Sequence, residues 1–351
     1  MRALAIMLVL AGHCAWIFPP SDGVAMQLLA LSGYLGVEVF FVLSGFLIGN
    51  ILYRMFLEKF TLSSTIIFLK RRWYRTLPNY YLILLVNIGI ANYIGYEIAE
   101  LWRYFLFLQN FAMPMLPFFT ESWSLSIEEF AYVLLPLSLL LAASFNNRKV
   151  TFFNVVFVLW VVFILNKMYY HSNSEVLSMD QWNLAVKSVV IFRLDAILTG
   201  VLCSWLYWNY RRSWNALRRI FLGIGILMLI FLVFGVGILG LFIENYPFFW
   251  NVLYLPLTSI MVACFLPVLS TWRSTASALS LPVTFVSKIS YSMYLLHYGV
   301  VLQLMKFQYH IDGATLTELV FFTAIYFAAT IVLSCLLYRF YERPMMDLRD
   351  R

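Results

Sequence analysis

The stretch MRALAIMLVLAGHCAW, residues 1–16, reads two ways, and the choice decides how the rest of the chain is threaded. A basic residue, an apolar run and small residues ahead of a cysteine make the pattern of a secretory or lipoprotein signal peptide. Here His13 separates the Leu10-Ala11-Gly12 run from Cys14, and an imidazole beside the cysteine does not suit a small-residue cleavage site. The stretch is therefore expected to be a retained first helix, and the histidine within it needs another explanation.

Of the 351 residues, 63% are hydrophobic and 12% charged, with a mean hydropathy of +0.84. That is far more apolar surface than a soluble core of this size uses. At about 20 residues per crossing, spans are expected at 3–17, 27–53, 76–96, 123–145, 150–170, 186–209, 219–242, 248–270, 286–306 and 316–338. The fold class is then an all-α integral membrane protein, a polytopic bundle of about ten transmembrane helices. With a cytoplasmic N-terminus, nineteen of the Lys and Arg residues fall on inner segments. Arg103, Lys167, Lys187 and Lys306 fall outside, and Arg193 lies within a span. This is the positive-inside bias, and it predicts an even number of crossings with both termini cytoplasmic. The net charge of +7 is thus mainly a topology signal, and no nucleic-acid partner is expected. Cys14, Cys203, Cys264 and Cys335 all sit in apolar segments, with neither a disulfide framework nor zinc spacing, so no metal is expected. With no repeat, low-complexity tract or terminal soluble unit, residues 1–351 are expected to form one transmembrane domain without a soluble extracytoplasmic domain. The aromatic WRYFLFLQNFAMPMLPFF at 102–119 is too short to span, and should lie in the interface or dip back into the protein.

Ionisable residues inside a span are costly and so are functional candidates by default, paired or facing a wet cavity. Here they are His13, Glu38, Glu128, Glu129, Arg193, Asp195 and His297. Arg2 and His13 are eleven residues apart, hence within about 20° of one helix face and separated by roughly 16 Å of rise. A topological arginine and a structurally satisfied histidine would give the same pattern. KRRWYRTLP places Arg72 and Arg75 at i, i+3, beside Lys70 and Arg71. Arginine's forked donor set suits a phosphorylated cytoplasmic ligand, and the same cluster suits anionic lipid heads. In ESWSLSIEEFAY, Ser124 and Glu128 share a face while Glu129 points about 100° away. Arg193 enters at similar depth and is a candidate partner for that acidic pair. Glu38 occurs in YLGVEVFFVLSGFLIG with Ser44 nearby, where Gly33, Gly36 and Gly45 permit close helix approach. Ser290 and His297 lie nearly on one face with Tyr294 between them, so a second histidine sits at a depth matching that of His13.

These segments in this order resemble the acyltransferase-3 family of bacterial integral membrane enzymes. The likeness rests on RALAIMLVLAGH, with its arginine, ten residues, histidine pattern, on GVEVFFVLSGFLI, and on FLKRRWYRTLP with its Arg-x-x-Arg. WSLSIEEF, FRLDAILTG, SYSMYLLH and YRFYERP complete it, so that it runs from position 2 to 344. The resemblance implies transfer of acetyl or another short acyl group from cytoplasmic acyl-coenzyme A to a hydroxyl of an extracytoplasmic glycan. Lipopolysaccharide, peptidoglycan, exopolysaccharide or a lipid-linked sugar would be the acceptor, and the bacterial cytoplasmic (inner) membrane the location. It further implies a central catalytic role for His13 supported by Arg2, with Arg72 and Arg75 holding coenzyme A phosphates and Arg71 beside them. Departures from the pattern are Phe130-Ala131-Tyr132 in place of Gln-Phe-Tyr after the paired glutamates, and Gly299 near where a proline often follows the histidine. Family members usually carry several residues, one of them acidic, before the arginine numbered 2 here. The expected chain either acylates its acceptor directly or hands the group to a separate periplasmic acyltransferase partner.

The mechanism expected from these residues docks acyl-coenzyme A on Arg72 and Arg75 and brings its thioester to His13, acting as general base or transient acyl carrier. Glu128 or Glu129 would orient the imidazole or the sugar, and Arg193 would steady the oxyanion. Glu38, Ser44, Asp195, Ser290, Tyr294 and His297 are candidate pocket residues. A proton-coupled transporter would also bury acids and histidines, but no paired interrupted spans in two related halves are visible. A non-catalytic lipid-binding scaffold would use the basic loop for headgroups alone.

Overall fold

A computed structural model describes residues 1–19, 21, 23–174, 176–272, 280–309 and 313–348; Arg273, Arg349 and Arg351 of the inner-charge set lie outside the described residues. Every regular element among the described residues is helical. Among the described residues ten principal helices overlap the expected spans, the third beginning at Leu62 rather than at 76 and so taking up part of the expected inner loop 54–75. They are α1 (Arg2–Cys14), α2 (Val24–Glu58), α3 (Leu62–Ile94), α4 (Ser122–Leu141), α5 (Arg148–Asn173), α6 (Val190–Asn209), α7 (Arg218–Ile238), α8 (Phe249–Leu269), α9 (Ser280–Leu296) and α10 (Leu316–Leu348). All but α1 and α9 are long and apolar enough to cross a bilayer. The first expected span is a short apolar helix, Arg2–Ile17, and α9 continues into a π-helical turn, His297–Leu302, followed by Gln303–Gln308. The chain has an all-α, polytopic membrane fold.

Local chemistry sets several helix ends. Thr61 begins α3, its hydroxyl accepting from Ser64 N at 3.3 Å while Ser64 Oγ accepts from Thr61 N at 2.9 Å, which satisfies two amides that have no partner within the helix. The helix stops at Gly95, whose φ of 80° suits a residue without a Cβ. Thr315 and Glu318 cap α10 in the same reciprocal way.

Glycine sets how closely the central helices pack. A Cβ on Gly45 of α2 would strike the Ile197 carbonyl, and one on Gly200 of α6 would strike the backbone at Val42 and Phe46. Gly12 and Gly33 bring α1 against α2 in the same manner. The small-residue spacing read from the sequence therefore fixes the α1–α2–α6 core. Gly200→Val should force α2 and α6 apart and lower stability by an amount at or above the upper end of about 1–3 kcal/mol for overpacking, read as a lower melting temperature in detergent.

The 102–119 segment dips back into the protein. After one helical turn, Trp102–Phe105, the backbone is irregular, with positive φ at Phe107 (58°) and Phe119 (45°). Irregular backbone within a membrane must be satisfied by protein, and here it is. Tyr80 Oη donates to Tyr104 O at 2.7 Å, and Tyr104 Oη to Phe118 O at 2.6 Å. Asn110 Nδ2 donates to Trp123 O at 2.9 Å and to Ser188 O at 2.6 Å, stitching the segment to the starts of α4 and α6.

One charge lies elsewhere than the sequence reading put it. Lys167, counted with the outer segments, is inside α5, and its Nζ lies 2.7 Å from Asp195 of α6, both side chains fully buried. An apolar helix can carry such a lysine only where a neighbouring helix supplies the counter-ion.

Candidate active site

A cavity of about 100 Å³ opens among α1, α2, α3, α4 and α9. Its polar lining comes from Arg2, Arg72, Arg75, Glu128 and Tyr132 together with Ser44, Thr76, Ser124, Ser290, Tyr291 and Tyr294, and apolar residues such as Phe40 and Phe41 of α2 complete it. Helix periodicity makes this wall polar: Ser124, Glu128 and Tyr132 follow at i, i+4, i+8 on α4, and Ser290 and Tyr294 at i, i+4 on α9. Tyr132 Oη donates to Glu128 Oε2 at 2.8 Å and lies 3.1 Å from Ser44 Oγ. Glu129 turns away as its spacing requires and accepts from Thr76 Oγ1 at 2.7 Å. Three arginines against one lining carboxylate make the cavity positive.

The two histidines meet. His13 Nδ1 lies 3.1 Å from His297 Nε2 and 3.0 Å from the Val9 carbonyl. His297 Nδ1 lies 2.7 Å from the Tyr294 carbonyl. Carbonyls only accept, so these partners assign the protons: His297 carries hydrogen on Nδ1 and presents a lone pair at Nε2, to which His13 Nδ1–H donates. In this arrangement His13 Nε2 has no hydrogen and is the basic atom of the pair. The pair sits one helical turn behind the Tyr294 wall, with the Tyr294 and His297 rings 5.5 Å apart and Tyr294 Oη 2.5 Å from Ser124 Oγ.

Several expected site residues lie elsewhere. Arg193 does not reach Glu128 or Glu129. It forms a salt bridge with Glu38, its guanidinium over Phe41, and Ser259 Oγ donates to the other Glu38 oxygen at 3.0 Å. Glu38, Arg193 and Asp195 are all fully buried and none lines the cavity. The packing of α6 explains this: Arg193 turns to Glu38 of α2 and Asp195, about 200° round the helix, to Lys167 of α5, while Leu194, Ile197 and Leu198 meet Ala131, Leu134 and Leu135 of α4. Arg71 is exposed and off the cavity, one residue round the helix from Arg72. The structure thus gathers Arg2, Arg72, Arg75, Glu128, Ser44, Ser290 and Tyr294 at the cavity and pairs His13 with His297. Arg193, Glu38, Asp195 and Arg71 stand apart.

The structure also adds residues that the sequence reading did not select. Tyr132, at i+4 from Glu128, was legible from helical spacing. Tyr291, whose Oη donates to Thr76 O at 2.8 Å and so ties α9 to α3, carried no distinguishing signal. Neither did Glu121, just ahead of α4, which is buried with Oε1 accepting from Gly299 N at 2.8 Å. Lys187, expected in an outer loop, extends over Trp123 with Nζ 6.0 Å from the ring centroid, and burial lowers its pKa to about 8.

Residues 1–339 match the acyltransferase-3 family, described as an acyltransferase domain, and the chain belongs to that family. Among similar proteins, one from Staphylococcus aureus (strain COL), provisionally named an O-acetyltransferase, is 27% identical over 89% of this chain and 52% of its own length. A counterpart from strain N315 gives the same figures. The peptidoglycan O-acetyltransferase OatA of Listeria monocytogenes is 30% identical over 40% of this chain and 23% of its own length. The chain spans about half the length of the staphylococcal relatives it matches. No solved structure matches it. Family membership and the long apolar helices together make this a multi-pass membrane protein.

Proposed function

We propose that the chain is an O-acetyltransferase of the bacterial inner membrane that moves an acetyl group from acyl-coenzyme A, bound from the cytoplasm, to a hydroxyl of an extracytoplasmic glycan. The observation that carries this reading is a cavity with Arg2, Arg72 and Arg75 among its lining and, one helical turn from its Tyr294, the pair of half-buried His13 and buried His297. The basic end suits phosphate, which arginine grips with paired donors. On this reading the donor's phosphates stay at the arginines and its pantetheine arm extends inward. The positive-inside distribution supports a cytoplasmic side for these arginines and for both termini.

In the reaction, the acceptor O–H bond breaks to His13 Nε2 as its oxygen bonds the thioester carbonyl carbon, and the carbonyl pair moves onto oxygen. Collapse restores the carbonyl, breaks the C–S bond and expels thiolate, which recovers the proton from His13. Glu128 holds Tyr132 and balances part of the arginine charge. The name of the Listeria relative points to peptidoglycan as one acceptor, and other envelope glycans carry the same hydroxyl chemistry.

Removing one phosphate-binding arginine should cost the roughly 1.5–3 kcal/mol of a charged hydrogen bond, about 10- to 150-fold in donor KM. Arg75→Gln is expected to raise the acetyl-coenzyme A KM by that factor in nanodiscs with kcat changed far less. An unchanged KM in both Arg72→Gln and Arg75→Gln would place the donor elsewhere. Mass spectrometry of envelope glycans from cells with and without the gene would identify the acceptor by one acetyl unit.

A further inference from the structure

We infer that Glu121 is a positioning residue for the histidine pair, and this rests on the acyl-transfer reading above. Glu121 bonds the helix on both sides of His297. Its backbone carbonyl accepts from Tyr294 Oη at 3.0 Å, three residues before the histidine, and its carboxylate Oε1 accepts from Gly299 N at 2.8 Å, two residues after. The clamp falls where α9 passes into the π-helical turn His297–Leu302. Within that turn the Gly299 N–H donates to Glu121, and just ahead of it the Tyr294 carbonyl receives His297 Nδ1–H.

The consequence reaches the reacting atom in three steps. The Tyr294 carbonyl fixes the proton of His297 on Nδ1, Nε2 of His297 then accepts from His13 Nδ1–H, and His13 Nε2 is left with its lone pair. Glu121 touches neither histidine in this chain of bonds; it sets the backbone that sets the tautomer. Gly299 is matched to the role. A Cβ there would collide with Asn87 Oδ1 and lie 2.8 Å from Glu121 Oε1, and a proline would have no N–H to donate. Glu121 itself is 2% exposed, and its second oxygen has no partner among the described residues.

The test is steady-state kinetics of the full chain in nanodiscs with acetyl-coenzyme A and a glycan acceptor, alongside thermal unfolding. Glu121→Ala should lower kcat by about a hundredfold, as a misplacement of the order of 1 Å does, with donor KM unchanged because the arginines are untouched. Glu121→Gln keeps an oxygen that accepts from Gly299 and should recover the rate to within a few-fold. As a second readout, the imidazole 15N signals of His297 should report hydrogen on Nδ1 in the native protein and lose that single state in Glu121→Ala.

A wild-type kcat in Glu121→Ala, or a Glu121→Gln variant as slow as Glu121→Ala, would overturn the positioning role. So would an unaltered His297 spectrum in a slow Glu121→Ala variant. If Glu121→Ala does not fold, Glu121→Asp, whose shorter side chain withdraws the oxygen from Gly299 N, should show the same fall in kcat at unchanged donor KM and the same loss of the single His297 state, and native values of both would overturn the role. A His13→Ala protein with native activity would instead remove the acyl-transfer reading, so the two failures are distinguishable.

Discussion

His13→Ala is expected to lower acetyl transfer by about 10²–10⁴-fold, the range supplied by a positioned general base, while the protein remains folded and still binds coenzyme A. The expectation follows from which atoms the variant removes. His13 Nε2 is the basic atom of the pair, and the arginines that would hold the donor stand apart from it at the cavity. Donor affinity, read by titration calorimetry or by the donor KM, should therefore stay near the native value as kcat falls. His297→Ala should cost less, because His13 would keep its Val9 contact at 3.0 Å and lose one of the two acceptors that orient its Nδ1. The two chemical roles for His13 separate in the absence of acceptor. A transient acyl-imidazole releases one equivalent of coenzyme A in a burst, whereas a general base releases none. Transfer at the native rate by folded His13→Ala protein would end the assignment.

Much of this site could be read from sequence because it is built on single helices. The eleven-residue interval from Arg2 to His13, the i, i+3 arginines and the Ser124, Glu128 face are properties of one helix each, and regular geometry carries them into space unchanged. Hydropathy likewise found the spans, since apolar length is local. What could not be read is how helices are rotated against one another. Arg193 and Glu38 are 155 positions apart, and their pairing depends on Gly45 and Gly200 allowing α2 and α6 to come together on those faces. The same uncertainty hid the Lys167 and Asp195 pair, whose partners lie on α5 and α6. Glu121 was hidden for a different reason. It belongs to an irregular segment whose path back into the protein is set by Asn110, Tyr104 and other buried polar contacts, which have no periodicity to read.

The Glu38–Arg193 bridge gives the largest expected effect on stability. Both side chains are fully buried, and Arg193 Nε and Nη1 have no protein partner among the described residues, so the bridge is far from saturating the guanidinium. A buried pair of this kind contributes little net stability, because desolvation offsets the attraction, yet breaking it leaves one charge uncompensated. Arg193→Met should therefore destabilise the protein by about 3–5 kcal/mol, seen as a large fall in melting temperature or in the denaturant midpoint. Glu38→Gln combined with Arg193→Met removes the stranded carboxylate and should recover most of that loss. The double variant also decides between the two roles the sequence left open for Arg193. An oxyanion-stabilising arginine would leave the stable double variant with a kcat reduced about 10²–10³-fold. A structural arginine, the role its bridge to Glu38 supports, would leave donor KM and kcat close to native once the fold is restored.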